Sequence, residues 1–280
     1  MKNIYMTIIA LATLLSFAGC TKETGCPAEE TVTGRIALAA QYEAANGTVD
    51  KRAVQTKAAG ELTYVIEVWA NDYSERITRK EVAESELSAG GTVEIAIVPG
   101  NYNFLFWADY DNGYYITDNA VSASAGGLRS VKYEYDGSSD MGAADGRDAF
   151  ATCKENVEWG VGGTAPSLSA VLARPLAKLS ITASENFAAN DADASIQCSD
   201  IPTGYDVATA AVTELATIAF KASIKSGSAA IGDLFLFVPS GGSTEVSLLD
   251  FGKPNETKNL GEISVAPNYV TNVTVTMNNN

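Results

Sequence analysis

The sequence predicts an all-β protein built from sandwiches. Short runs of alternating apolar and polar residues recur between clusters of Gly, Pro, Asn and Ser, which is typical of antiparallel β-sandwiches. Few segments longer than about ten residues repeat their apolar side chains with a helical period. The chain has 280 residues, and at roughly 150 residues per domain this length favours two domains.

Residues 1–19 are predicted to be a secretory signal peptide. Lys2 supplies a positive charge, and residues 4–17 are mostly apolar. This apolar stretch is shorter than the roughly 20 residues that a membrane-spanning helix needs. We therefore expect it to be removed from the mature protein.

The residues around the predicted cleavage site, Phe17-Ala18-Gly19-Cys20, resemble the lipobox of bacterial lipoproteins. The resemblance implies cleavage between Gly19 and Cys20, attachment of acyl chains such as palmitate to Cys20, and residues 20–30 as a lipid-anchored linker. Several acyl chains on one residue suffice for stable anchoring. The expected location is the outer membrane and the cell surface. An ordinary signal peptide with a chance cysteine is the alternative.

The first predicted domain spans residues 31–165. Its aromatic run at residues 102–110 fits a central strand covered on both faces. Residues 79–87 are good helix formers and are expected to form a turn or two of helix. The strands of this domain are predicted at residues 33–42, 62–69, 93–97, 102–110 and 131–135.

The second predicted domain spans residues 166–280 and follows a turn-rich break at residues 159–166. Its apolar run at residues 231–238 indicates a buried strand, which Pro239 ends. The last strand alternates apolar residues with threonines and is expected at the edge of its sheet. The strands of this domain are predicted at residues 179–182, 231–238, 246–251 and 269–277.

The composition excludes several classes of function. The net charge is −15, which disfavours nucleic acid or an anionic membrane surface as partner. The chain contains no histidine, which removes Ser-His-Asp and Cys-His catalysis, HExxH sites and histidine-ligated zinc. No activated nucleophile or acid–base pair stands out. We therefore predict no catalytic residue, cofactor or metal, and we expect that the protein is not an enzyme.

Three groups of acidic residues are candidate oxygen ligands for Ca²⁺, but each is better interpreted as a solvated turn or loop. The first group follows an aromatic strand and, with Tyr114 and Tyr115 beside it, could also cradle a sugar. The second lies in a Gly-rich loop and lacks the closing glutamate of an EF-hand. The groups are Asp109 and Asp111; Asp136, Asp140, Asp145 and Asp148; and Asp191 and Asp193.

Three cysteines remain once Cys20 is lipidated, an odd number for an oxidising compartment. They are Cys26, Cys153 and Cys198. A Cys153–Cys198 disulfide and small buried thiols are both compatible with the spacing. No CxxC motif occurs in the sequence, so no metal knuckle is predicted.

Short motifs along the chain resemble, in their order, those of fimbrillin-like lipoproteins of Gram-negative anaerobes. They are Pro-Gly-Asn-Tyr at residues 99–102, Phe-Leu-Phe-Trp-Ala-Asp at 104–109, Arg-Pro-Leu-Ala-Lys-Leu-Ser-Ile at 174–181 and Asn-Tyr-Val-Thr-Asn-Val at 268–273. The resemblance implies two tandem transthyretin-like antiparallel β-sandwich domains after a lipoprotein signal peptide. It also implies a place in the shaft, tip or anchor of a fimbria.

The resemblance further implies assembly by strand addition, in which a removable edge strand leaves a groove for a strand of the next subunit. In related shaft subunits a protease that cuts after Arg releases the first strand. Here cleavage between Arg52 and Ala53 would do so, although a simply solvated basic loop is the alternative. The expected donor is the terminal strand, unless it is an ordinary strand of its own sheet. The residues expected to form this donor strand include Tyr269, Val273, Val275 and Met277.

The sequence therefore predicts a non-enzymatic cell-surface lipoprotein that is a structural or adhesive subunit of a fimbria. Its expected partners are other fimbrial subunits, the outer membrane through the lipid anchor, and a host or bacterial surface ligand. The alternative function is a non-polymerising surface lipoprotein that binds a glycan or a host protein.

Overall fold

The computed structural model describes residues 30–41, 60–110, 113–119, 126–133, 145–185, 192–251 and 255–276. These residues are mostly in strands, and their only helical structure is single 3₁₀ turns at Glu84–Glu86, Gly127–Ser130 and Asp145–Arg147. The predicted all-β fold is confirmed. In this part of the chain no helix is long and apolar enough to cross a membrane.

The strands in chain order are β1 (Val32–Ala40), β2 (Thr63–Ala70), β3 (Arg76–Ala83), β4 (Thr92–Ile97), β5 (Gly100–Asp109), β6 (Tyr115–Ile116), β7 (Val131–Tyr133), β8 (Ala149–Trp159), β9 (Ser167–Leu172), β10 (Leu176–Ala183), β11 (Ala192–Asp206), β12 (Ala211–Ile224), β13 (Ala230–Phe237), β14 (Ser243–Leu249), β15 (Thr257–Ser264) and β16 (Val270–Val275).

The strands form two three-stranded sheets and two larger ones within the described ranges. The three-stranded sheets have the orders β4-β1-β9 and β13-β10-β16. The four-stranded sheet β3-β2-β5-β8 is called the middle sheet below. The last sheet contains β12-β11-β14-β15, and β7 with β6 extends it because β7 pairs with β11 at Gly204 and Tyr205.

Apart from β6 and β7, the same order of seven strands occurs twice along the chain, first in β1–β9 and then in β10–β16. In each repeat the first strand lies between an antiparallel neighbour, the fourth strand, and a parallel neighbour, the last strand. The other four strands form the second sheet of that repeat. β9 lies beyond the predicted domain boundary at residue 165 but pairs with β1. By hydrogen bonding, β9 therefore groups with the strands before that boundary.

The middle sheet is covered on both faces. On one face Ile66, Phe104 and Phe106 belong to a first core with residues of β1, β4 and β9. On the other face Leu105 and Trp107 belong to a second core, built mainly from β10 to β14. The predicted central strand at residues 102–110 is thus confirmed in β5, whose residues 103–108 are all buried.

A buried carboxylate ties the middle sheet to the turn at Gly127–Ser130. Glu67 on β2 is fully buried and accepts hydrogen bonds from Arg76 Nη1 at 2.7 Å, Arg79 Nη1 at 2.8 Å, Trp69 Nε1 at 2.9 Å and the Leu128 backbone N–H at 3.0 Å. Position 127 must be glycine, because a Cβ there would overlap this carboxylate and its φ is +54°. The paired charge makes burial of Glu67 tolerable.

The predicted turn or two of helix at residues 79–87 is wrong for most of that segment. Residues up to Ala83 belong to β3, and only Glu84–Glu86 form a 3₁₀ turn. β3 pairs with β2 along its length, and Arg79 reaches Glu67. Helix propensity is a weak preference, which this pairing outweighs.

Truncation of a side chain in the first core should destabilise the protein. We expect Phe106→Ala to lower the free energy of unfolding by about 3–5 kcal/mol, because Phe106 is fully buried and would leave a cavity. Val171→Ala is the control, since Val171 is 52% exposed and its loss should cost no more than about 0.5 kcal/mol. Chemical denaturation measures both values, and equal losses would contradict the assignment of Phe106 to a closed core.

Candidate functional site: the first strand and its groove

β1 is hydrogen-bonded on both sides. Ile36 lies opposite Val93 of antiparallel β4 and opposite Leu168 of parallel β9. The expectation of an edge strand is therefore wrong for β1, which is the middle strand of its sheet. The space that β1 fills between β4 and β9 is called the β1 groove below. Its two walls are the edges of β4 and β9 that face β1. Along the paired residues, β1 is the strand that hydrogen-bonds to these edges.

The inward face of β1 is apolar and closes the first core. Ile36 is fully buried and Leu38 is 6% exposed, whereas Thr33 and Arg35 face solvent. Each buried aliphatic side chain of this size contributes about 1.5–3 kcal/mol. An empty β1 groove would expose the apolar side chains beneath it, so the groove favours an occupant.

Trp159 and Pro166 hold the start of β1. Trp159 Nε1 donates a hydrogen bond to the Val32 carbonyl at 3.1 Å, and the Arg35 N–H donates to the Pro166 carbonyl at 3.0 Å. A Cβ built on Gly34 would overlap Trp159 Cζ2 and would lie 2.5 Å from Pro166 Cγ and 2.7 Å from Pro166 O. No side chain fits at this position of the strand.

A small pocket lies beside the other end of β1. Its volume is about 300 Å³, and Leu38, Tyr64, Glu84 and Ser88 contribute to its lining. Burial, and secondarily the charge of Glu84, raise the pKa of Tyr64 to about 12. The Tyr64 hydroxyl is therefore protonated at neutral pH and can act as a hydrogen-bond donor.

The expected donor strand, β16, is a strand of the second repeat's own sheet. It pairs in parallel with β10, and Val273 lies opposite Ile181 and Val275 opposite Ala183. Val275 is buried in the second core. Tyr269 directly precedes β16, and its carbonyl accepts a hydrogen bond from the Lys178 N–H at 2.9 Å.

Several of the site residues that the sequence predicts lie outside the described residues. These include the signal-cleavage and lipidation residues, the proposed processing bond and the end of the donor strand. Lipidation and proteolytic processing therefore remain predictions. The residues are Gly19, Cys20, Cys26, Arg52, Ala53 and Met277.

The two C-terminal motifs of the family resemblance meet in a buried cluster. Arg174 binds Asp148 through Nε at 2.5 Å and Nη2 at 2.6 Å, and its Nη1 donates to Asn268 Oδ1 at 2.6 Å. The side chains of Arg174 and Asp148 are both fully buried. Asp148, a candidate metal ligand by sequence, instead pairs with a guanidinium, and this cluster joins β8, β10 and β16 at their starts.

Removal of one charge from this cluster should destabilise the protein. We expect Arg174→Met to cost about 3–5 kcal/mol, because Asp148 would be left as an unpaired buried charge. The double variant Arg174→Met/Asp148→Leu should be more stable than the single variant for the same reason. Denaturant titrations measure both.

The matched control is Arg35→Met, because the Arg35–Glu94 pair at 3.1 Å has side chains that are 72% and 56% exposed. Its loss should cost at most about 1 kcal/mol. A double variant less stable than Arg174→Met would contradict the assignment.

Of the carboxylates considered for sugar or Ca²⁺, Asp111, Asp136, Asp140 and Asp191 lie outside the described residues, and the described ones do not come together in an open site. Asp109 accepts a hydrogen bond from Trp107 Nε1 at 2.7 Å. Tyr115 packs with its ring 5.1 Å from that of Trp107 and donates its hydroxyl proton to the Arg147 carbonyl at 2.6 Å. Tyr115 is therefore a partly buried side chain packed against the second core rather than a platform for a sugar. Asp193 is exposed, and within the described ranges no three Cys, Asp or Glu side chains are grouped to hold a metal.

Cys153 and Cys198 are both free thiols. Cys198 is fully buried on β11, and burial raises its pKa to about 12. Cys153 is half-buried on β8 and lies 3.5 Å from the Tyr73 hydroxyl, and burial raises its pKa as well. Neither thiol has the depressed pKa of a catalytic cysteine.

Thiol alkylation should distinguish these residues from ordinary cysteines. The thiolate fraction rises with pH, and a pKa of about 12 leaves Cys198 almost entirely protonated up to about pH 9. We expect peptide mapping after alkylation to show unmodified Cys198 in the folded protein at pH 7–9. Without reductant, both Cys153 and Cys198 should be modified after unfolding in denaturant. A Cys153–Cys198 disulfide peptide would contradict the structure.

Sequence reasoning missed Trp159, Pro166 and the part that Gly34 plays between them. One signal was present, because a glycine inside an alternating apolar strand indicates close approach of another group. The approaching group could not be identified, since Trp159 lies 127 residues from Val32.

The family model described as "Family of unknown function (DUF6562)" matches residues 28–277. The chain belongs to this family. No curated protein sequence matches it significantly.

Solved structures show the same fold at low sequence identity. A protein of Bacteroides thetaiotaomicron, provisionally described as polysaccharide-binding, has a TM-score of 0.60 at 15% identity, covering 83% of this chain and 80% of its own. The fimbrial anchor protein Mfa2 of Porphyromonas gingivalis has a TM-score of 0.55 at 12% identity, covering 84% and 82%. A provisionally assigned adhesin of Bacteroides ovatus has a TM-score of 0.54 at 11% identity, covering 84% and 76%. The predicted resemblance to fimbrial proteins is confirmed at the level of the fold.

Proposed function

We propose that this protein is a non-enzymatic, cell-surface structural or adhesive subunit of a fimbria, and that it joins its neighbours by strand addition at the β1 groove. The observation that carries the proposal is the position of β1, which is bonded on both sides and covers the first core. The fold it shares with a fimbrial anchor protein supports it. A lipid on Cys20 would tether the chain to the outer membrane.

The two cores give strand exchange a physical basis. β1 contributes Ile36 and Leu38 to the first core, whereas no residue of β1 belongs to the second core. Release of β1 would therefore open the first core and leave the second one closed. Main-chain hydrogen bonds from β4 and β9 would then bind any extended segment of suitable shape.

The connection after β1 carries the basic pair Lys51-Arg52. It runs between β1 and β2, so a cut at Arg52–Ala53 would separate β1 from the rest of the chain without removing any other described strand. Processing at this bond is part of the proposal. The alternative route is exchange of a β1 that remains connected to the chain. The test described below distinguishes these two routes.

The pocket beside β1 supports a second candidate function, glycan binding by a surface lipoprotein that does not polymerise. Its lining includes the Tyr64 side chain, Glu84 and Ser88, which can hydrogen-bond a polar ligand. The fold shared with a protein provisionally described as polysaccharide-binding favours it. Retention on a glycan array by a monomer that forms no subunit complexes would favour this function over strand addition.

A disulfide across β1 and β4 tests strand addition directly. Thr33 and Ala96 are exposed register partners, so Thr33→Cys/Ala96→Cys should form a disulfide that keeps β1 in place. In the bacterium that carries the protein, we expect the epitope-tagged wild type in heat-labile, SDS-resistant complexes on unheated gels. The oxidised double variant should reach the surface but remain outside these complexes.

The single variant Thr33→Cys is the matched control and should enter the complexes like the wild type. Arg52→Ala separates the two routes, since it blocks incorporation only if processing at this bond is required. Incorporation of the oxidised double variant at the wild-type level would overturn strand addition at the β1 groove.

A further inference from the structure

Trp159 contacts the occupant of the β1 groove in two different ways. Its Nε1 donates to a main-chain carbonyl, that of Val32, which any extended chain could supply. Its ring, together with Pro166, fills the space that a side chain two residues further along would need. The first contact is independent of sequence, and the second accepts only glycine.

This arrangement is rigid on the side of the protein. The Trp159 ring is fully buried and packs against Phe104 at a centroid distance of 5.1 Å. Pro166 contributes both its ring and its backbone carbonyl, and this carbonyl accepts a hydrogen bond from the occupant itself, the Arg35 N–H of β1. A side chain in place of Gly34 would therefore have to displace a packed tryptophan as well as the ring and carbonyl of Pro166.

We propose that Trp159 and Pro166 select the strand that occupies the β1 groove, and that the partner's strand has the pattern Gly-x-aliphatic-x-aliphatic. β1 shows this pattern itself in Gly34, Ile36 and Leu38. The inference rests on the proposed function, because it names the kind of partner strand that the groove takes. The occupant after release of β1 is a glycine-bearing strand of a different subunit.

The same geometry excludes this protein's own terminal strand. The inward residues of β16 are Thr271, Val273 and Val275, which pair with inward residues of β10. Residues 265–280 contain no glycine, so no register of β16 places a glycine against Trp159. Copies of this chain accordingly do not join by placing β16 of one copy in the β1 groove of another.

Peptide exchange into the nicked full chain tests the selection. A site-specific protease sequence placed within residues 42–59 allows the chain to be cut while β1 stays bound. Fluorescent peptides of residues 30–41 then compete with β1 in mild denaturant, and anisotropy reports their binding. We expect the Gly34→Ala peptide to bind at least about tenfold more weakly than the unmodified peptide, the factor that a modest overpacking cost produces.

Two further peptides complete the comparison. Arg35→Ala changes a solvent-facing residue and should bind like the unmodified peptide. A peptide of residues 266–277, which contains β16, should bind at least about tenfold more weakly. Equal binding by the Gly34→Ala peptide or by the β16 peptide would overturn the selection while leaving strand addition standing.

A second measurement decides the case in which no peptide exchanges. Absence of exchange by every peptide would count against strand addition. The melting temperature of the intact chain would still test whether Trp159 and Pro166 require glycine at position 34. Gly34→Ala should lower the melting temperature by several degrees, whereas Arg35→Ala should leave it unchanged within about a degree. An intact Gly34→Ala protein as stable as the wild type would overturn the selection by Trp159 and Pro166.

Discussion

The middle sheet has no face open to water along β2 and β5, so its polar side chains have to find partners inside the protein. Glu67 does so through two guanidinium groups, an indole N–H and a backbone N–H. Asn103, also buried, bonds the Asn71 carbonyl and the Asn156 N–H. These contacts determine where the neighbouring loops run, including the turn whose Gly127 must lie against the Glu67 carboxylate. One sheet thereby supports a separate core on each of its faces.

The two repeats share a strand order but differ in how their first strands are held. β10 carries Lys178, which pairs with Asp233 at 3.0 Å and lies over the Phe235 ring at 5.5 Å, and the buried cluster of Arg174 precedes it. The corresponding ion pair of β1, Arg35–Glu94, is exposed and contributes little. Release of β10 would break buried charged contacts, whereas release of β1 exposes mainly apolar surface that a replacement strand can cover again. This difference is the reason for assigning the proposed strand exchange to the first repeat.

The motifs that carry the family resemblance are explained by packing. The run at residues 104–109 is the strand shared by both cores, and Arg174 and Asn268 are joined to each other although they lie 94 residues apart. Their roles are structural, because their side chains satisfy one another inside the protein. The selective features of the β1 groove lie instead in Trp159, Pro166 and Gly34, where one strand and its surroundings have to fit.

Period-two alternation and continuous apolar runs are local properties, and they located nine strands close to their observed positions because each strand buries one or both faces. These strands are β1, β2, β4, β5, β7, β10, β13, β14 and β16. The same patterns failed for β3, where helix-forming residues pair with β2, and they did not find the β11–β12 hairpin. The sequence by itself determined the all-β class, the apolar inward face of β1 and the absence of histidine chemistry. Only the tertiary structure decided that β1 is a middle strand and that two of its contacts come from Trp159 and Pro166. It also decided that β9 pairs in parallel with β1, and β16 with β10. These facts depend on which distant segments meet, and a parallel pair leaves no tight-turn signal between its strands.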